Sequence, residues 1–138
     1  MKRSTIVAVW LLMAVALVVG LGSLNCPHYY QLAREGLTTK GWVTAKEPQV
    51  HQNVHYSYAV EGRTYNNDVG HGDFGNPGFE QLRVGDPVMV YYLPGRPEVS
   101  CLGRPKDLLV NEMIPIGLAA LLFPTFAIWA NSRRKTRG

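Results

Sequence analysis

Two uncharged apolar runs, one near each end, constrain this chain more than any other feature. From Ser4 to Ala33 there is no Lys, Arg, Asp or Glu, and Ile6 to Leu24 reads IVAVWLLMAVALVVGLGSL. At about 1.5 Å of rise per residue, a helix of that length nearly crosses a hydrocarbon core of roughly 30 Å. The second run, Met113 to Ala130, reads MIPIGLAALLFPTFAIWA, and Pro115 and Pro124 should kink it. Both runs are read as transmembrane helices.

The flanking charges set an expected topology. Lys2 and Arg3 precede the first run, and Arg133, Arg134, Lys135 and Arg137 follow the second, so six of the 14 basic residues and none of the 10 acidic ones lie in the two tails. By the positive-inside rule both tails are cytoplasmic. The intervening segment holds eight basic and ten acidic residues, a net of −2, and faces outward. The pI near 9.2 therefore reports topology and not a nucleic-acid partner, because the outward segment has no basic stripe. Tyr29, Tyr30 and Trp129 fall where helix ends meet an interface. A cleavable signal peptide is the rival reading of the first run, but the run is long for one and no A-x-A pattern closes it. The expected layout is a cytoplasmic tail over residues 1–5, a helix over 6–24, an extracytoplasmic domain over 25–112 with its core at 37–102, a helix over 113–130, and a basic tail over 131–138.

Between the runs the period changes to two. Val54, Tyr56, Tyr58 and Val60 share one face, with His55, Ser57 and Ala59 on the other, which predicts a half-buried strand. Glu61-Gly62 predicts a hairpin turn returning through Thr64 to Val69. Pro87 to Leu93 is apolar on both faces and predicts a central strand. Pro94-Gly95 then predicts a type II turn into Val99 to Leu102. Gly41 to Ala45 is a candidate opening strand. Asn76 as a cap, Pro77, Phe79, Leu82 and Gly85 predict one short helix. The fold class is thus a membrane α plus small all-β protein: two transmembrane helices flanking a compact antiparallel sheet or barrel-like unit of about five strands and one short helix. Such a unit buries a modest core.

Several patterns resemble chemical sites. Cys26 and Cys101 are the only cysteines, and on an oxidising side they form either a disulfide or two unpaired thiols. Gly70, Gly72 and Gly75 spell G-x-G-x-x-G, but Asn76-Pro77-Gly78 follows where a helix is needed, so a surface loop is expected and not a nucleotide site. His51 and His55 on one side of a strand, with His71 and Asp73 in the glycine loop, are metal-ligand candidates, though their spacing does not fix convergence. Ser57, Ser100 and Cys101 lack a nucleophile elbow or a motif-related base, and no carboxylates are paired, so no catalytic residue and no cofactor is expected. Tyr56, Tyr58, Tyr91 and Tyr92 are core residues by alternation and, alternatively, partner-facing ones.

The order of an N-terminal membrane helix, T-T-x-G-W-V from Thr38 to Val43, V-x-Y-S-Y-x-V-x-G-x-x-Y from Val54 to Tyr65, F-x-x-L-x-V-G-D-x-V-x-V-Y-Y-x-P from Phe79 to Pro94, and a second helix with a basic tail extends over nearly the whole chain. It resembles a mostly bacterial family of two-helix membrane proteins with a small extracytoplasmic β domain of unknown function. The resemblance implies that architecture and assigns no catalytic residues. The expected role is a non-enzymatic membrane-anchored module for binding or assembly, with the bilayer and a membrane protein or a second copy as partners. An accessory subunit of a larger membrane complex and a metal-binding sensor or enzyme using the His/Asp loop are the alternatives.

Overall fold

The computed structural model describes residues 3–135, so Lys2 and Arg137 of the basic tails lie outside the described residues. The element order is α1 (Arg3–Glu35), β1 (Leu37–Glu47), β2 (Asn53–Val60), β3 (Arg63–Asn67), β4 (Pro87–Leu93), β5 (Arg96–Leu102) and α2 (Pro105–Lys135). The chain divides into a helical unit, made of α1 up to Pro27 and α2 from Val110, and a sheet unit from His28 to Leu109.

In the helical unit the apolar surface points outward. Val7, Leu11, Leu12, Val15, Val19 and Leu24 of α1, and Leu118, Leu121, Leu122, Phe123 and Phe126 of α2, are all exposed. The two helices run antiparallel, joined by polar side chains. The Trp10 Nε1–H donates to Thr125 Oγ1 at 3.0 Å, and the Asn25 amide donates to Glu112 Oε1 at 3.4 Å. Pro124 has no N–H to give the carbonyl one turn back, and beside it Thr125 donates its hydroxyl to Leu121 O at 2.6 Å. Both helices outrun the apolar stretches. At 33 and 31 residues they are each about 45–50 Å long, more than a hydrocarbon core requires. Pro105 begins α2 at the first helical position, where its missing N–H costs nothing, and Asp107 in that first turn pairs with Arg104 at 2.7 Å.

The sheet unit is built the other way round. Five antiparallel strands in the order β3-β2-β1-β4-β5 curl into a half-barrel that brings the edge strands β3 and β5 near each other. The expected alternation in β2 holds: Val54, Tyr56, Tyr58 and Val60 are buried. They form one core with Val43, Val88, Val90, Leu102, Phe79 and Leu82. A second cluster joins Leu93 and Cys101 to Leu32 at the end of α1 and Leu108 at the start of α2. Register shifts at Val43/Ala45 and Tyr92/Leu93 give the bends that curling needs.

Four expectations are corrected. The segment around Phe79 is not a helix but a single turn, in which Gln81 and Leu82 N–H both donate to Gly78 O. Asn76 does not cap it. Its side chain instead pairs with both backbone groups of Met89, accepting from N at 2.7 Å and donating to O at 3.0 Å, as a neighbouring strand would beyond the end of β5. β4 is an interior strand, but the middle of the sheet is β1, and Met89 of β4 is exposed. The Pro94-Gly95 turn is not type II, because among the described residues the glycines with positive φ are Gly62, Gly75, Gly85 and Gly103. At the other hairpin Glu61 and Gly62 both take positive φ, at 50° and 78°, the I′ form whose twist suits the strands.

Candidate functional site

Polar side chains gather in two places on the sheet unit. The first is the seam between β3 and β5. Tyr56 OH and Ser100 Oγ lie 2.9 Å apart, Asn67 Nδ2 donates to Ser100 Oγ at 3.0 Å, and Tyr58 OH donates to Pro97 O at 2.5 Å. Side chains thus bridge two edge strands that no backbone ladder joins, and Pro97 has no N–H to offer one. Burial pushes the Tyr56 and Tyr58 hydroxyls upward, against the hydrogen bonding at Ser100 that pulls the other way. Neither is poised as a base at neutral pH, and Ser100 is enclosed and committed to Tyr56 and Asn67. The arrangement holds a seam closed.

Tyr56 and Tyr58 are 0% and 1% exposed and lie in the core; Tyr58 stacks on Tyr65 at 5.7 Å and meets Tyr92 in a tilted contact at 6.5 Å. Tyr91 and Tyr92 are half-buried against the two clusters. The exposed aromatic of the sheet is Trp42, in the middle strand, beside Ser57 and Pro87 on the adjacent strands and with Lys40 Nζ 6.0 Å from its ring. Its outward alternation with buried Gly41 and Val43 was available in the sequence.

The cysteines are both free thiols. Cys101 is buried in the second cluster, where its Sγ lies 3.5 Å from Gly103 O and burial pushes the thiol up to about 12. A disulfide would require that thiol to leave an apolar site already filled by Leu32, Leu93 and Leu108.

The second polar place is the end of the sheet where β1 stops and β3 runs out. Asn53 is buried there; its amide donates to Asp68 O, and its Oδ1 accepts from Gly70 N at 2.9 Å. Val54 N–H adds a bond to Gly70 O at 2.8 Å. Gly70 is required: a Cβ would stand 2.9 Å from both Tyr56 Cε1 and Val54 O. The glycine pattern is therefore a loop moored to β2, with Asp73, Phe74 and Gly75 in succession at positive φ.

The four metal-ligand candidates lie apart. His51 sits exposed in the β1–β2 turn at φ 50°, His71 is exposed in the loop, and Asp73 is exposed, its backbone tied to Pro77 and Asn76. His55 faces Glu47 Oε1 at 3.2 Å and Asp68 Oδ1 at 3.4 Å, two carboxylates that the sequence alone did not put beside it. Among the described residues no three His, Cys, Asp or Glu side chains are grouped to hold a metal ion.

No curated protein and no solved structure matches the chain. A family match extends from residue 34 to residue 107, more than half of the chain, and takes in all five strands, the seam and the polar end of the sheet. On that match the chain belongs to the family described as a domain of unknown function, DUF3592.

Proposed function

We propose that this DUF3592 protein is a two-pass membrane protein that holds its half-barrel on the outer side, with both termini cytoplasmic, and works by binding or assembly and not by catalysis. One observation carries the reading: the large aliphatic and aromatic side chains of α1 and α2 point outward along both helices, a surface that water would penalise at about 25 cal/mol per Å² and lipid would not. The basic tails favour the same topology. The commitment of Ser100 to Tyr56 and Asn67 supports a structural role for the most enclosed hydroxyl.

The test uses single reporter cysteines in a Cys26→Ser background, with Cys101 retained in the core. Membrane-impermeant maleimide added to intact cells should label Glu61→Cys and spare Gly138→Cys; the reverse pattern overturns the topology. Purification of the full chain in mild detergent then identifies what travels with it. A stoichiometric membrane-protein companion supports the assembly role, and turnover of an added substrate class by the purified chain would overturn the non-catalytic reading.

A further inference from the structure

We propose that His55 is a proton-operated clip that fastens the start of the glycine loop to the sheet. Three segments meet at this ring: Glu47 from the last position of β1, His55 from β2, and Asp68 from the chain just beyond β3. Nε2 faces Glu47 Oε1 at 3.2 Å and Nδ1 faces Asp68 Oδ1 at 3.4 Å. Nε2 is buried and makes no well-aligned hydrogen bond in this arrangement.

The chemistry of imidazole explains why that matters. A neutral ring has one N–H, so whichever tautomer forms, one carboxylate faces a lone pair; the imidazolium offers an N–H to each. Protonation therefore turns one attraction and one repulsion into two attractions, across three neighbouring segments. The charged groups set against the ring are Glu47 and Asp68. Lys46 does not compensate them, because its Nζ turns away to Leu82 O at 2.7 Å and lies over the Phe79 ring at 4.2 Å. His51, in the adjoining turn, is exposed.

The clip has a defined load. Asp68 opens the segment that Asn53 and Val54 moor through Asp68 O, Gly70 N and Gly70 O, and that segment leads into the loop carrying His71 and Asp73. With the ring protonated, the carboxylate of Asp68 is held as well as its backbone. With the ring neutral, its single N–H serves only one of the two carboxylates, the hold on Asp68 weakens, and the loop opens more often. The device makes exposure of the glycine loop respond to whether the ring carries one N–H or two.

Hydrogen exchange on the full chain in detergent micelles reads this directly at the amides of Val54 and Gly70. Protection, corrected for the intrinsic rate at each pH, should fall about three- to five-fold from pH 5.5 to pH 8, the scale of one partly exposed ion pair. In His55→Gln the same amides should show no pH dependence. The Glu47→Gln/Asp68→Asn double variant keeps the imidazole and should lose the effect too, which covers the case in which His55→Gln folds poorly. Equal protection at both pH values in the unaltered chain, or an undiminished change in the double variant, overturns the proposal.

Discussion

The helical unit and the sheet unit use the same residue types in opposite ways. In the sheet, Val54, Tyr56, Val90 and Leu102 are at most 1% exposed and touch one another; in α1, Leu12 and Val19 are 74% and 65% exposed and touch nothing of the kind. Polar groups reverse as well. The sheet hides Asn53 and Ser100 inside and satisfies them, while the helices place Trp10 with Thr125, and Asn25 with Glu112, between otherwise apolar surfaces. On the proposed membrane reading, burial in this chain is defined by the solvent each region meets. The sheet stabilises itself by excluding water, whereas helix association in lipid rests on packing and a few hydrogen bonds.

The sharpest way to break that comparison is to delete side chains from both regions. Tyr56→Ala should cost about 3–5 kcal/mol of stability in denaturant unfolding of the purified chain, since it opens a cavity and strands Ser100 and Asn67. Leu12→Ala, a deletion of a large apolar side chain on the outer surface of α1, should leave that transition unmoved. Equal losses would mean that the helices carry a conventional core.

Next comes the alkaline limb of stability. The Cys101 thiol has an ordinary value of 9.0 when unfolded and is pushed up to about 12 by burial, so the folded state keeps its proton where the unfolded state loses it. That stabilisation is intact below pH 9 and is lost as pH rises from 9 toward 12. Between pH 7 and 10 it amounts to about 1.4 kcal/mol, with Tyr56 steepening the decline above pH 10. Stability measured against pH in Cys101→Ala should lack the first part of this slope.

A smaller effect is expected where a side chain imitates a strand. Asn76→Ala removes both bonds to Met89 and should cost about 1 kcal/mol, with faster amide exchange at Met89. The smallest belongs to the helices: Trp10→Phe deletes the bond to Thr125 and should weaken helix pairing by about 0.6 kcal/mol, measured as helix–helix association in micelles.

Local features were legible in the sequence and long-range ones were not. The alternation from Val54 to Val60, the Glu61-Gly62 turn and the bounds of β4 at Pro87 and Leu93 all follow from neighbours within a few residues. The apolar runs were equally plain, but the helix ends were not. His28 to Glu35 lies beyond the expected end of the first helix at Leu24, and its place in α1 shows only when Leu32 is seen packing on Leu93 and Cys101. Pro105 followed by Asp107 was a helix-start signal that the hydropathy change at Met113 overshadowed. Neither polar place could be read in advance. Asn67 meets Ser100, 33 residues on, only because the sheet curls, and His55 meets Asp68 only because β3 stops short. Asn76 looked like a cap because a side-chain amide that caps a helix can equally well imitate a strand.

The three tryptophans offer the most direct measurement of the central claim, since Trp10 and Trp129 lie in the helical unit and Trp42 on the open face of the sheet. Single-tryptophan variants of the full chain reconstituted in vesicles would be quenched separately by brominated acyl chains and by aqueous iodide. The account predicts that brominated lipid quenches Trp10 and Trp129 and spares Trp42, and that iodide does the reverse. Iodide quenching of Trp10 and Trp129 as strong as that of Trp42, with no effect of brominated lipid, would contradict it.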